Sequence, residues 1–179
     1  MPPLTLEFGC GNAKTPGAIG VDINPRSAAD VLHDMNVFPY PFDDDVADRI
    51  ICHDVLEHVE HFVPTIEELW RIGRDGCRID VTAPFMSSIN YHSDPTHRRS
   101  FTSRSFDYFV DGTDVRNHAY SEARLRVESV AFDPLLIPLR KGIDRWLLQL
   151  ANRHKRIYEE RFAYIYPVHQ IHFLLTVVK

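Results

Sequence analysis

Two short stretches of this 179-residue chain concentrate side chains that could do chemistry. The first is Glu7-Phe8-Gly9-Cys10-Gly11-Asn12. There a carboxylate closes an apolar run and two glycines follow at alternate positions, a turn that lets a ligand come close to the backbone. The second runs from Tyr91 to Phe101 and holds His92, Asp94 and His97 among hydroxyl residues. Histidine is the side chain whose ordinary pKa suits proton transfer near neutrality, and an aspartate can orient it. His92 or His97 is therefore expected as a general base, with Asp94 as the orienting carboxylate. The competing reading is a solvated Asp94-Pro95 turn with both histidines in water.

These residues need elements to hold them. Apolar runs at 4–8, 18–23, around 30–34, 47–53 and 77–83 read as strands. Residues 64–74 read as a helix, with Pro64 in its first turn and Asp75-Gly76 as its stop. Further strands are expected at 125–132 and 171–178. Between them one long helix is expected over 143–162, with Ile143, Trp146, Leu147, Leu150 and Ile157 at helical spacing. Strands alternating with crossovers imply a mostly parallel α/β sheet, in which strand ends face the ligand crevice. The loop after residue 83 then opens on that same edge.

What the glycine turn binds is a matter of spacing. A dinucleotide fold would want a third glycine opening a long helix and an acid about 20 residues on. Here Asp22 follows Gly11 by only 11 residues, which leaves no room for a full helix. A bland tight turn is the second reading. The third is S-adenosyl-L-methionine (SAM), which carries a ribose diol and an amino acid but no pyrophosphate. Asp22, at the end of the second strand, could accept both ribose hydroxyls, and Asp34, at the end of the third, the adenine amino group.

Residues 5–58 resemble the class I SAM-dependent methyltransferases of the type 11 kind, through TLEFGCGNA, GVDINP and HDMNVFPYPFDDDVADRIICHDVLEHV. The resemblance implies a Rossmann-like sheet with an antiparallel last strand. It also implies that Glu7, Gly9 and Gly11 line the methionine part of SAM, that Asp22 and Ile23 take the ribose, and that Asp34, Met35 and Asn36 flank adenine. By the same resemblance His53 borders the cofactor. The string around His92 and His97 is similar to the HxDPTHxRxFT pattern of some members, among them sugar and lipid-linked glycan methyltransferases. The chain departs from the pattern at Ala13, where a third glycine is usual.

The expected reaction is methyl transfer to a hydroxyl of a small-molecule or glycan-type acceptor. N- or C-methylation, or SAM binding without catalysis, stay open. His53, Glu57, His58 and His61 have a spacing that a helix could stack around zinc, and His92, Asp94 and His97 form a second such set. The family pattern explains the first set without an ion, and no metal is expected.

Length suits one domain over 1–179, with 134–168 as a helical, lid-like insertion between the last two strands. Residues 140–161 carry seven basic side chains against three acidic ones, a net +4 in a chain of net charge −5. That segment is expected to face an anionic acceptor or, peripherally, an anionic membrane, unless it is an ordinary solvated helix. The acidic balance argues against a nucleic-acid partner. Cys10, Cys52 and Cys77 lack metal-type spacing and read as reduced thiols of a cytoplasmic protein. Oligomeric state is not legible.

Overall fold

The computed structural model describes residues 3–133 and 141–179. In chain order the elements are β1 (Thr5–Phe8), β2 (Ile19–Asp22), β3 (Val31–Leu32), β4 (Ala47–His53), α1 (Phe62–Ile72), β5 (Gly73–Pro84), α2 (Ile89–Ser93), β6 (Arg124–Phe132), α3 (Gly142–Arg153), α4 (Lys155–Arg161) and β7 (Gln170–Val178). They build one seven-stranded sheet in the order β3-β2-β1-β4-β5-β7-β6. β1 to β5 are parallel, and β7 runs antiparallel between β5 and β6. This is the Rossmann-like α/β class that the sequence predicted.

The central strands are apolar on both faces because neighbours cover both. Leu6, Phe8, Ile50, Ile51 and Cys52 are almost fully buried. α1 is amphipathic and lays Ile66, Leu69 and Ile72 into the same core. The three cysteines are buried thiols without disulfides. Burial pushes the Cys77 thiol up to about 12, so it is an inert packing group.

No helix lies between β1 and β2, β2 and β3, or β3 and β4. Loops make these crossovers and are tied by side-chain bonds instead. Glu7 Oε2 accepts the Thr15 amide at 2.6 Å, and Asp30 Oδ2 accepts the Gly20 amide at 2.8 Å. The edge after β5 is closed differently. Phe85 and Phe101 form an isolated parallel bridge, and the Phe101 amide donates to the Pro84 carbonyl at 3.2 Å. Residues 86–100 therefore leave and re-enter the core at one point.

Three expectations need correction. α1 ends at Ile72, and Asp75-Gly76 does not stop it. The pairing of β4 with β5 jumps from Ala47–Gly73 to Arg49–Arg78, so residues 74–77 bulge out of β5. Gly76, at φ +78, supplies the left-handed turn that this excursion needs. The helix expected over 143–162 is two helices, interrupted at His154. The expectation that its apolar stripe packs on the domain rather than on lipid is also reversed. Leu148, Ala151 and Tyr158 pack inward, while Ile143, Trp146, Leu150 and Ile157 are between 40% and 75% exposed. Arg140 and the start of the 134–168 segment lie outside the described residues. Among the described residues no helix is long and apolar enough to cross a membrane.

On one face of β4, β5 and β7, a polar group replaces apolar packing. Asp80 accepts from Arg49, His53 and His172 at 3.1, 3.3 and 2.6 Å. The His172 and His53 bonds hold the Asp80 carboxyl far below the usual carboxylate range. The bond to Asp80 in turn raises the His53 pKa.

Candidate active site at the carboxyl edge of the sheet

A hollow of about 510 Å³ opens over the carboxyl ends of β1, β2 and β4. That lies within the range of about 300–1,000 Å³ usual for small-molecule sites. Gly9, Asp22, Ile23, Asp34, Met35 and Asn36 line it, and so do Asp54, Val55, His58 and Thr96. Gly9 sits at φ +69, and a Cβ there would meet Val55 carbons at 2.6 Å. The first turn can approach the 54–56 segment only because this residue has no side chain.

The acids are held by the backbone around them. Asp22 Oδ2 accepts the Gly11 amide and Oδ1 the Asn24 amide, both at 2.8 Å. Asp34 Oδ1 accepts the Asn36 amide at 2.8 Å, and Asn36 Oδ1 accepts the Glu60 amide at 2.7 Å. Each carboxylate is thus fixed in place with lone pairs to spare for a ligand's hydroxyl or amino groups.

Of the cofactor residues expected from sequence, Glu7, Gly11 and His53 do not line the hollow. Glu7 is buried beneath it and pins the following loop through Thr15. Gly11 acts through its amide on Asp22. His53 points to the opposite face, where it meets Asp80, because a strand alternates its side chains. Asp54, one residue on, takes the place expected for His53. Its φ of +50 turns the chain just after β4, and its amide donates to the Thr82 carbonyl at 2.9 Å. Sequence reasoning stopped at the strand end, one residue short.

A second hollow of about 260 Å³ adjoins the first and shares Asp54 and His58 with it. Glu57, Asn90, Asp94, His97, His169 and Gln170 also line it. The loop that brings His97 here is fastened to the 57–60 segment. The Arg98 amide donates to the Glu57 carbonyl at 2.8 Å, and Arg99 Nη2 donates to the carbonyls of Val59 and Glu60 at 2.7 and 3.0 Å. From the far side, buried Asp133 accepts the amides of His169 and Gln170 at the start of β7. Gln170 Nε2 reaches the Asp54 carboxylate at 3.1 Å.

The three residues expected to be catalytic separate here. His97 is nearly buried, with Nε2 3.8 Å from Asp94 Oδ2 and 3.9 Å from Glu57 Oε1. Asp94 closes a small turn: its Oδ1 accepts the Thr96 amide at 2.8 Å and the Thr96 hydroxyl at 2.6 Å, which lowers its pKa. His92 is exposed on α2, packs edge-on against Tyr91, and is absent from the hollow's lining.

Glu57 and His58 are additions that the sequence offered but the spacing argument misassigned. Residues 54–60 are turns and a bend, and α1 begins only at Phe62, so no helix stacks His53, Glu57 and His61. Glu57 is 1% exposed, and its Oε2 has no hydrogen-bond partner. Burial raises its carboxyl to about 8. Burial, and then His97, lower the His58 pKa.

An open sheet of this order, with its antiparallel β7 and a ligand hollow over the first strands, is the fold of class I SAM-dependent methyltransferases. Residues 6–79 match the family model described as a methyltransferase domain. No curated protein matches the sequence.

Solved structures share the fold. A SAM-dependent methyltransferase from Archaeoglobus fulgidus is 15% identical, with 98% of this chain and 86% of that one covered, at a TM-score of 0.58. The YcgJ protein from Bacillus subtilis is 13% identical over 99% and 92%, at 0.60. A phosphoethanolamine N-methyltransferase from Haemonchus contortus, in complex with S-adenosyl-L-methionine, is 12% identical over 98% of this chain and 48% of that one, at 0.57.

Proposed function

We propose that the protein transfers a methyl group from SAM to a hydroxyl oxygen of a small-molecule or glycan-type acceptor. When bound, SAM supplies the methyl group on a sulfonium. One observation carries the reading: the two hollows share the wall formed by Asp54 and His58, so an acceptor in the second lies beside a donor in the first. In the first hollow Asp22 holds the ribose, and Asp34 with Asn36 holds the adenine edge. In the second, His97 Nδ1 faces the Tyr91 carbonyl at 3.2 Å. That bond leaves Nε2 bare to take the acceptor's proton, with Asp94 placed to steady the resulting cation. His92 has no part in this scheme.

The cap formed by α3, α4 and the segment after them favours an amphiphilic or anionic acceptor. It carries an apolar hollow of about 500 Å³ lined by Leu147, Leu150, Ile157, Phe162 and Ile165. Trp146, Tyr164 and Ile165 are more than half exposed, and Lys141, Arg145, Arg153 and Arg161 surround them in sequence. Glu159 is engaged by the Ser103 amide and hydroxyl, which fixes α4 to the edge of the sheet. Such a surface suits peripheral contact with an anionic membrane and a cover over the acceptor side.

The test is release of S-adenosylhomocysteine from SAM with a panel of hydroxylated acceptors, beside calorimetric titration with S-adenosylhomocysteine. Turnover that His97→Ala removes without loss of binding supports the reading. Binding without turnover on any acceptor selects a SAM-binding module instead, and methylation confined to nitrogen or carbon acceptors replaces the oxygen assignment.

A further inference from the structure

We propose that Glu57, His58 and His97 form a site for one divalent transition-metal cation of the zinc, iron(II) or manganese class, opening on the second hollow. Their ligand atoms all lie within 4.8 Å of one another. The proposal rests on the reading of that hollow as the acceptor site. It changes the part given to His97 there from proton acceptor to metal ligand, and it departs from the sequence expectation of no metal.

Proton bookkeeping identifies the vacancy. Thr96 donates its hydroxyl hydrogen to Asp94 Oδ1 at 2.6 Å, so its oxygen is left to accept from His58 Nδ1 at 2.9 Å. His58 then carries its hydrogen on Nδ1, and Nε2 is bare. His97 Nδ1 likewise faces the Tyr91 carbonyl at 3.2 Å, which leaves its Nε2 bare. The third member, Glu57, is 1% exposed and has an oxygen with no partner.

A buried carboxyl and two partly buried imidazoles thus share one corner and turn an unpartnered oxygen and two bare nitrogens into it. A cation would satisfy all three at once. A single proton on Glu57 would serve one contact at most, and 3.9 Å to His97 Nε2 is too long for that bond.

The donor set fits borderline divalent metals, for which bonds of about 2.0–2.2 Å place ligand atoms about 3.3 Å apart. From 3.9 Å the His97–Glu57 pair closes by about half an ångström, and the widest separation of the cluster, within 4.8 Å, by up to about 1.5 Å. Asp94 Oδ2 is in reach as a fourth ligand. The bonds to the Tyr91 carbonyl and to Thr96 are the outer supports that fix imidazole tautomers at metal sites. A cation here would bind an acceptor oxygen and make its hydroxyl more acidic.

The test uses the full chain, stripped with EDTA and titrated calorimetrically with zinc or manganese chloride, beside metal analysis of the untreated protein. One equivalent should bind. Glu57→Gln and His97→Ala should each weaken it by at least about 100-fold, while His118→Ala leaves it unchanged. S-adenosylhomocysteine titration of the same variants reports that the first hollow is intact. Absence of a one-to-one metal complex in a wild-type protein that still binds S-adenosylhomocysteine overturns the proposal and leaves the methyltransferase reading standing. So does metal binding that both Glu57→Gln and His97→Ala retain. A one-to-one complex lost in those variants, together with transfer that ignores the metal, keeps the site and removes the acceptor reading instead.

Discussion

The two adjoining hollows are built on opposite plans. In the first, two carboxylates are held by backbone amides: Asp22 by those of Gly11 and Asn24, Asp34 by that of Asn36. In the second, the key side chains come from two distant segments, and a buried oxygen of Glu57 is left without a partner. The first is shaped to hold a ligand and is satisfied before one arrives. The second carries unmet hydrogen-bonding capacity at the buried Glu57 oxygen.

Substitutions should separate the two plans. The largest effect is expected from His97→Ala, which should lower methyl transfer by about 10³-fold and leave calorimetric affinity for S-adenosylhomocysteine within about twofold. A parallel loss of affinity would dissolve the distinction. Asp22→Ala should do the reverse. If Asp22 holds the ribose as proposed, removing its carboxylate costs about 2–3 kcal/mol, or about 10²-fold in cofactor affinity. Turnover at saturating SAM should change much less.

A smaller effect is expected at the cap. Trp146→Asp, at a position 56% exposed, should weaken sedimentation with anionic vesicles by about tenfold and leave transfer to a soluble acceptor unchanged. If vesicle binding persists, the apolar surface has another use.

The smallest effect concerns neither hollow. Asp80→Asn should lower the melting temperature by about 2–4 °C, for a loss of about 1 kcal/mol, with cofactor affinity intact. The sign with pH follows from the two shifted groups. Asp80 is depressed by its bonds to His172 and His53, so its contribution is present above about pH 4 and fades as the pH falls towards its lowered value. His53 is raised by Asp80, so its contribution is full below about pH 6.5 and fades above that. The difference in melting temperature between wild type and Asp80→Asn should therefore peak at about pH 5–6 and shrink at pH 8.

The same contrast explains what could be read from the residues alone. β1, β2, β4 and β7 were legible because local spacing fixes them, and so was the placing of Asp22 and Asp34 at strand ends, where both line the first hollow. The second site was legible only in its parts. His92, Asp94 and His97 are near in sequence, yet α2 turns His92 outward and the anchoring by Arg99 turns His97 inward. Glu57 and His58 have a spacing that a helix could stack, and they lie in a turn. The bulge at 74–77 escaped notice because Asp-Gly ends helices as readily as it makes bulges. What fixes it is non-local: Arg74 donates to the Val46 carbonyl at 2.8 Å and pairs with Asp48 at 3.0 Å. The apolar stripe of α3 misled for the opposite reason, since periodicity shows which residues share a face but not whether water or core lies against it.

The bridge between Phe85 and Phe101 makes the intervening fifteen or so positions a cassette. Both ends meet at one backbone bridge between two fully buried phenylalanines, so insertions or grafts within 86–100 leave strand register untouched. On the reading proposed above, exchanging this one excursion would shift acceptor preference while Gly9, Asp22 and Asp34 stay in place, with Thr96 the one residue it lends to the donor hollow.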